Sequence, residues 1–101
     1  MWTLVETTGR RSGLRRLTPL VNGPFDGMTL SVLAGYGEAS AFVKNIRANS
    51  AVRFKRGGRW YDATAEVLDT TPESVARLGR YAQVVLLRVG KNPKVIRLTV
   101  A

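Results

Sequence analysis

The stretch AVRFKRGGRWYDATAEVLD, residues 51–69, is the clearest guide to the fold. Ala51 to Arg56 and Arg59 to Asp69 read as two strands joined across Gly57-Gly58, a pair that suits a two-residue primed turn. In the second strand Tyr61, Ala63, Ala65 and Val67 fall on one face, and Trp60, Asp62, Thr64 and Glu66 on the other. A face of that kind must be buried against further strands, so the rest of the chain should supply them.

Upstream, Trp2 to Thr8, Arg15 to Val21 and Met28 to Leu33 carry β-branched, aromatic or alternating apolar residues, with Leu17 and Val21 the clearest core candidates of the second. Gly9–Gly13 breaks the first pair; Asn22-Gly23-Pro24 and Asp26-Gly27 are turn signals before the third. Ala39, Phe42, Val43 and Ile46 have helical spacing, which predicts a short amphipathic helix closing near Asn49. Downstream, Thr70-Thr71-Pro72-Glu73 predicts a helix start, capped by Thr71 or through a Thr70–Glu73 box. That helix should run to about Arg88, although Val84 to Leu87 also suits a strand; Lys94 to Val100 is the last strand. The order β-β-β-α-β-β-α-β predicts a mainly β (α+β) fold over residues 1–101: one domain, an antiparallel barrel of about six strands with two helices.

Composition narrows the chemistry. Sixteen Lys and Arg against seven Asp and Glu give the 101-residue chain a net charge of +9, and twelve of the sixteen are Arg. That balance favours anionic partners: a phosphorylated ligand, nucleic acid or an acidic membrane surface touched peripherally. The absence of Cys excludes disulfides and thiol catalysis, and the absence of His removes the commonest general base and metal ligand. No metal site is expected, no Ser-His triad can form, and no catalytic side chain is assigned. An enzyme of this composition would leave the hard chemistry to a cofactor. Apolar runs are too short to span a membrane and the first residues do not read as a signal peptide, which predicts a cytoplasmic protein.

Four stretches could bind. Thr7 to Gly13 followed by Arg15-Arg16 places four Arg within seven residues beside two Gly and three hydroxyl residues: either an anion-binding turn or a solvated basic hairpin. Gly35-Tyr36-Gly37 leads into the helix, as a ligand loop or as a plain connection. Lys44-Asn45 puts an amide on the helix's apolar side, as a ligand contact or a structural bridge. Arg53, Lys55, Arg56 and Arg59 interleave with Phe54, Trp60 and Tyr61, as a nucleic-acid surface or as one apolar and one basic face of a strand pair.

Thr7-Thr8-Gly9-Arg10-Arg11-Ser12-Gly13 with Arg16-Leu17-Thr18-Pro19-Leu20 resembles the TTGRKSG…R.TPL opening of the deazaflavin (F420)-dependent nitroreductase and quinone reductase family. Phe42 to Asn49 resembles its W..N.RAN helix, and Arg56-Gly57-Gly58-Arg59 with Ala63-Thr64-Ala65 resembles its GGR…ATA hairpin. The likeness spans about residues 3–70 and implies a split β-barrel of the flavin-reductase (FMN-binding) type. It implies binding of reduced coenzyme F420, a deazaflavin with a phosphate and an oligoglutamate tail, in preference to FMN. It also implies hydride transfer to a small-molecule acceptor such as a quinone or nitroaromatic. By resemblance, Arg10, Arg11, Ser12 and Arg16 contact the cofactor, with the three arginines on its anionic groups and Leu17, Thr18, Pro19 and Leu20 along its rings. Leu33, Ala34, Gly35 and Tyr36 carry over from the loop, and Ala41, Phe42, Val43, Lys44 and Asn45 from the helix. A homodimer would cover apolar surface that so small a barrel leaves open. Two other readings compete: a split barrel that binds a lipid, haem or another cofactor without turnover, and a basic nucleic-acid-binding barrel.

Overall fold

Six antiparallel strands form one curled sheet in the computed structural model, which describes residues 2–80, 83–85 and 91–101. The strands are β1 (Trp2–Thr8), β2 (Arg15–Val21), β3 (Thr29–Ala34), β4 (Ala51–Arg56), β5 (Arg59–Asp69) and β6 (Lys94–Val100). Their order across the sheet is β2-β1-β4-β5-β6-β3. The β4–β5 hairpin is as the alternation predicts, with Phe54 opposite Tyr61 and Val52 opposite Ala63.

The two edge strands, β2 and β3, meet at one place. Asn22 bridges to Val32 in antiparallel sense, and the Gly23 N–H donates to the Ser31 carbonyl at 2.9 Å. Beyond that bridge, towards Arg15, the described strands do not pair, so the barrel is split along this seam. Val5, Leu30, Val32, Ala34, Val43, Phe54, Ile96 and Leu98 fill the interior. Phe25, from the β2–β3 connection, packs edge-on against Phe54 and Tyr61.

Helix α1 (Ala41–Ala48) buries Val43, Asn45 and Ile46 against the barrel, after a 3-10 turn at Gly37–Ala39. Ala39 therefore lies in that turn and outside the helix expected to include it. Gly37 has φ 53°, and a Cβ there would lie 2.1 Å from the Asn92 carbonyl oxygen, so only glycine lets the two loops interlock.

Two expectations need correction. The helix expected to run from Thr71 to about Arg88 is broken: α2 covers Pro72–Ala76, with Arg77 at its C-cap. Gly79 takes φ 78°, residues 79–80 and 83–85 are helical, and Arg88 lies outside the described residues, as do Leu86 and Leu87 of the strand alternative. Of the two caps expected, Thr71 with Pro72 in the first turn is the one that forms, as a box with Ser74 and not through Thr70–Glu73: the Ser74 N–H donates to Thr71 Oγ1 at 3.1 Å, and the Thr71 N–H to Ser74 Oγ at 2.9 Å. Buried Leu78 joins Val21, Leu33 and Val95 in a small second core on the sheet's outer face. In β2, Leu17 is 55% exposed, whereas Leu20 and Val21 are buried. The register explains the difference: Leu17 pairs with outward-facing Glu6, while Leu20 pairs with buried Thr3.

Candidate functional site

A cavity of about 440 Å3 opens between the β1–β2 turn and α1. Its size falls in the usual range of small-molecule sites, on the order of 300–1,000 Å3. The lining residues are Gly9, Arg10, Arg11, Ser12, Arg16, Leu17, Thr18, Ala41, Phe42 and Asn45.

The turn is built by its own backbone. The Gly9 N–H donates to the Leu14 carbonyl at 2.7 Å and the Gly13 N–H to the Gly9 carbonyl at 2.9 Å, with Gly13 at φ 72°. Ser12 Oγ accepts the Leu14 N–H at 3.2 Å. The turn is then fastened to α1. Asn45, 4% exposed, accepts both the Arg10 N–H at 3.2 Å and Arg10 Nη1 at 3.0 Å on its Oδ1. Two donors on one atom fix the orientation of the amide, which leaves Asn45 Nδ2 with no protein partner among the described residues.

Register decides which cations face the groove. Arg16 pairs with buried Thr7 on the inward row of the sheet. Arg15, its neighbour, turns outward and reaches Glu6 at 3.1 Å. Arg10, Arg11 and Arg16 form no ion pair among the described residues, and no carboxylate lines the cavity. Thr7, opposite Arg16 in the register, has a buried Oγ1 with no hydrogen-bond partner among the described residues. A groove with three unneutralised guanidiniums, a spare amide N–H and the apolar faces of Ala41 and Phe42 fits an anionic ligand with a flat apolar part. The donor set fits a phosphorylated deazaflavin.

The remaining candidates lie elsewhere. Leu20, Ala34 and Val43 belong to the barrel core, and Leu33 to the second core. Pro19 and Lys44 are exposed. Tyr36, 58% exposed, lines a different cavity of about 700 Å3 with Glu38, Ala39, Lys91, Asn92 and Lys94. The Gly35 carbonyl accepts the Lys91 N–H at 2.7 Å, and a Cβ at Gly35 would meet nothing within 4 Å. Gly9 was not singled out individually from the sequence, although it stands in the turn motif; its place in the lining of the groove depends on the fold. Tyr81 lies outside the described residues. No group of three metal-ligating side chains occurs among the described residues, and no described helix is long and apolar enough to cross a membrane.

Comparison with known proteins follows the same lines. The profile of the F420H(2)-dependent quinone reductase family matches residues 1–94. A solved F420-H2 dependent reductase shares 24% identity at TM-score 0.66, covering 96% of this chain and 92% of its own. A structure described as a domain-swapped dimer shares 23% identity at TM-score 0.69, covering 96% of this chain and 78% of its own. A Clostridium acetobutylicum protein related to general stress protein 26, of the pyridoxinephosphate oxidase family, has TM-score 0.76 at 12% identity and covers 98% and 74%. These likenesses show the fold, a split barrel. No curated protein matches the sequence.

Proposed function

The chain belongs to the F420H(2)-dependent quinone reductase family, as an F420-dependent oxidoreductase, and from that premise we propose that the groove between the Gly9–Leu14 turn and α1 holds the cofactor. The observation that carries this reading is the segregation of charge: Arg10, Arg11 and Arg16 meet at one cavity that no carboxylate enters. When bound, reduced F420 supplies the hydride, so the chain needs neither His nor Cys for the chemistry.

The side chains present have separable tasks. Arg11 and Arg16 offer guanidinium forks to phosphate and carboxylate groups. Arg10 gives one N–H to Asn45 and keeps its other donors for the same anions. Ala41 and Phe42 supply an apolar wall for a ring system, and Asn45 Nδ2 a hydrogen-bond donor beside it. The acceptor belongs to the class of quinones, nitroaromatics and similar electron-poor molecules. A cytoplasmic location completes the reading, supported by a cysteine-free composition.

The test is fluorescence titration of oxidised and reduced F420 with purified protein in moderate salt. Saturable binding is expected, and Arg16→Ala should weaken it by roughly 10- to 100-fold, the worth of one charge-assisted hydrogen-bonded contact. Parent-like affinity in Arg16→Ala would remove this groove from consideration.

A further inference from the structure

We propose that the tip of the β4–β5 hairpin is a docking surface for an anionic lipid bilayer. Lys55, Arg56 and Arg59 flank the Gly57–Gly58 turn, and none of them forms an ion pair among the described residues. Elsewhere Arg15, Arg47, Lys94 and Arg97 are each spent on a carboxylate. The tip cations rest on aromatic rings instead: Arg59 lies 5.0 Å over Tyr61, Arg56 5.9 Å over Phe25 and Lys55 5.9 Å over Trp60. A ring face orders a cation without neutralising it, so the positive potential stays available to a partner.

An apolar anchor stands beside these charges. Leu4 pairs with Lys55, and the antiparallel register then puts Trp2 level with Gly57; Trp2 is 60% exposed. An exposed Trp beside Lys and Arg is the pattern of an interfacial contact, where the indole sits among headgroups and the cations meet anionic phosphate. Single-stranded nucleic acid is the other polyanion to weigh, and it needs free ring faces on which bases stack. Here Trp60 already carries Arg53 at 4.8 Å together with Lys55, and Tyr61 carries Arg59 while stacking on Phe54. The surface therefore offers charge and one protruding indole, which favours the bilayer. Because β1 runs from Trp2 to Thr8, the basic turn and its groove lie at the opposite end of the strand, about 20 Å away. Docking by the tip would leave the groove open to water.

The experiment is flotation of the full chain with vesicles of phosphatidylcholine alone and of phosphatidylcholine mixed with phosphatidylserine. Two charge-matched double variants are compared: Arg56→Glu with Arg59→Glu at the tip, and Arg11→Glu with Arg16→Glu at the groove. Binding is expected only to the mixed vesicles. Neutralising each tip cation is worth about fivefold, so even Arg56→Gln with Arg59→Gln should weaken binding roughly 25-fold, and the glutamate pair by more. The groove pair should bind far more tightly than the tip pair. Trp emission should shift to the blue on binding in the parent and in Trp60→Phe, and stay unshifted in Trp2→Phe. Equal losses in the two glutamate pairs would overturn the proposal in favour of unspecific net charge, and absent binding to mixed vesicles would end it. Tip-dependent binding of single-stranded DNA tighter than that of vesicles would replace it with a nucleic-acid surface. None of these readouts depends on F420, so they stand apart from the assignment of the groove.

Discussion

Replacing Asn45 by alanine removes one buried side chain and two hydrogen bonds that join positions 35 residues apart. The backbone bond, at 3.2 Å, is neutral and worth about 1 kcal/mol net; the guanidinium bond, at 3.0 Å, belongs to a class worth about 1.5–3 kcal/mol. Arg10 is exposed, so water restores much of what its guanidinium loses, and the charged bond must be discounted. A loss of about 1–2 kcal/mol remains. For a domain of this size each kcal/mol moves the midpoint by about 4–8 °C, so Asn45→Ala should melt roughly 4–15 °C below the parent. Arg10→Ala keeps the backbone N–H and its bond to Oδ1, so it should lose no more than about half as much. Circular dichroism melts give the midpoints, and amide hydrogen exchange read at Arg10 reports the turn directly. Faster exchange at Arg10 in Asn45→Ala, with near-parent exchange in Arg10→Ala, is the expected pair of results. A midpoint within about 2 °C of the parent together with unchanged exchange at Arg10 would show that Asn45 does not hold the turn.

Gly37→Ala should destabilise by at least about 2 kcal/mol, through a residue forced to φ 53° and a Cβ 2.1 Å from the Asn92 oxygen; a parent-like thermal melt would contradict the interlocked loops. Acid should also destabilise the fold. The Thr29 and Met28 N–H groups hold the Asp26 carboxyl below its usual range, Arg47 does the same for Glu38, and Lys94 for Asp69. Carboxyls with lowered folded-state pKa contribute stability that is complete above their unfolded values near 4 and is lost as pH falls through the lower folded ones. All three groups are solvent-screened, so the slope should be gentle: the melting temperature declines as pH drops from about 5 towards 2, and a flat or rising profile there would count against these contacts.

The legibility of the fold followed the distance over which each signal acts. The β4–β5 hairpin was readable because alternation and a Gly-Gly turn are local, and the pairing of Phe54 with Tyr61 repeats that alternation. Strand β2 was readable as a strand and misleading as to its faces. Arg16 and Thr18 point inward because β2 borders the split, where the interior meets solvent, while Leu17 points outward. That inversion depends on which strands lie at the seam, and strand order is not a local property. The second helix was overread for a related reason. Val75 and Leu78 have helical spacing, but Arg77 caps the first segment and Leu78 is buried against β3 and β6 through Leu33 and Val95. Residues Gly9 to Ser12 were legible as a basic glycine turn; the link from Arg10 to Asn45 is a tertiary contact without a local signature.

Net charge is the property most changed by knowing the fold. A value of +9 says only that anions are favoured. Five of the seven carboxylates, Glu6, Glu38, Asp62, Glu66 and Asp69, are engaged in ion pairs. Four of these pairs, Arg53 with Glu6 and with Asp62, Arg97 with Glu66 and Lys94 with Asp69, are cross-strand partners in the sheet register, where opposite charges support strand pairing. Cations left without carboxylates include two groups at opposite ends of β1: Arg10, Arg11 and Arg16 around the groove, and Lys55, Arg56 and Arg59 around the hairpin tip. Sheet register thus consumes most of the negative charge on the barrel wall and leaves positive charge at its two ends. A ligand site and a docking surface can then be altered separately, because the two clusters are separated by about 20 Å of strand, roughly two Debye lengths in physiological salt.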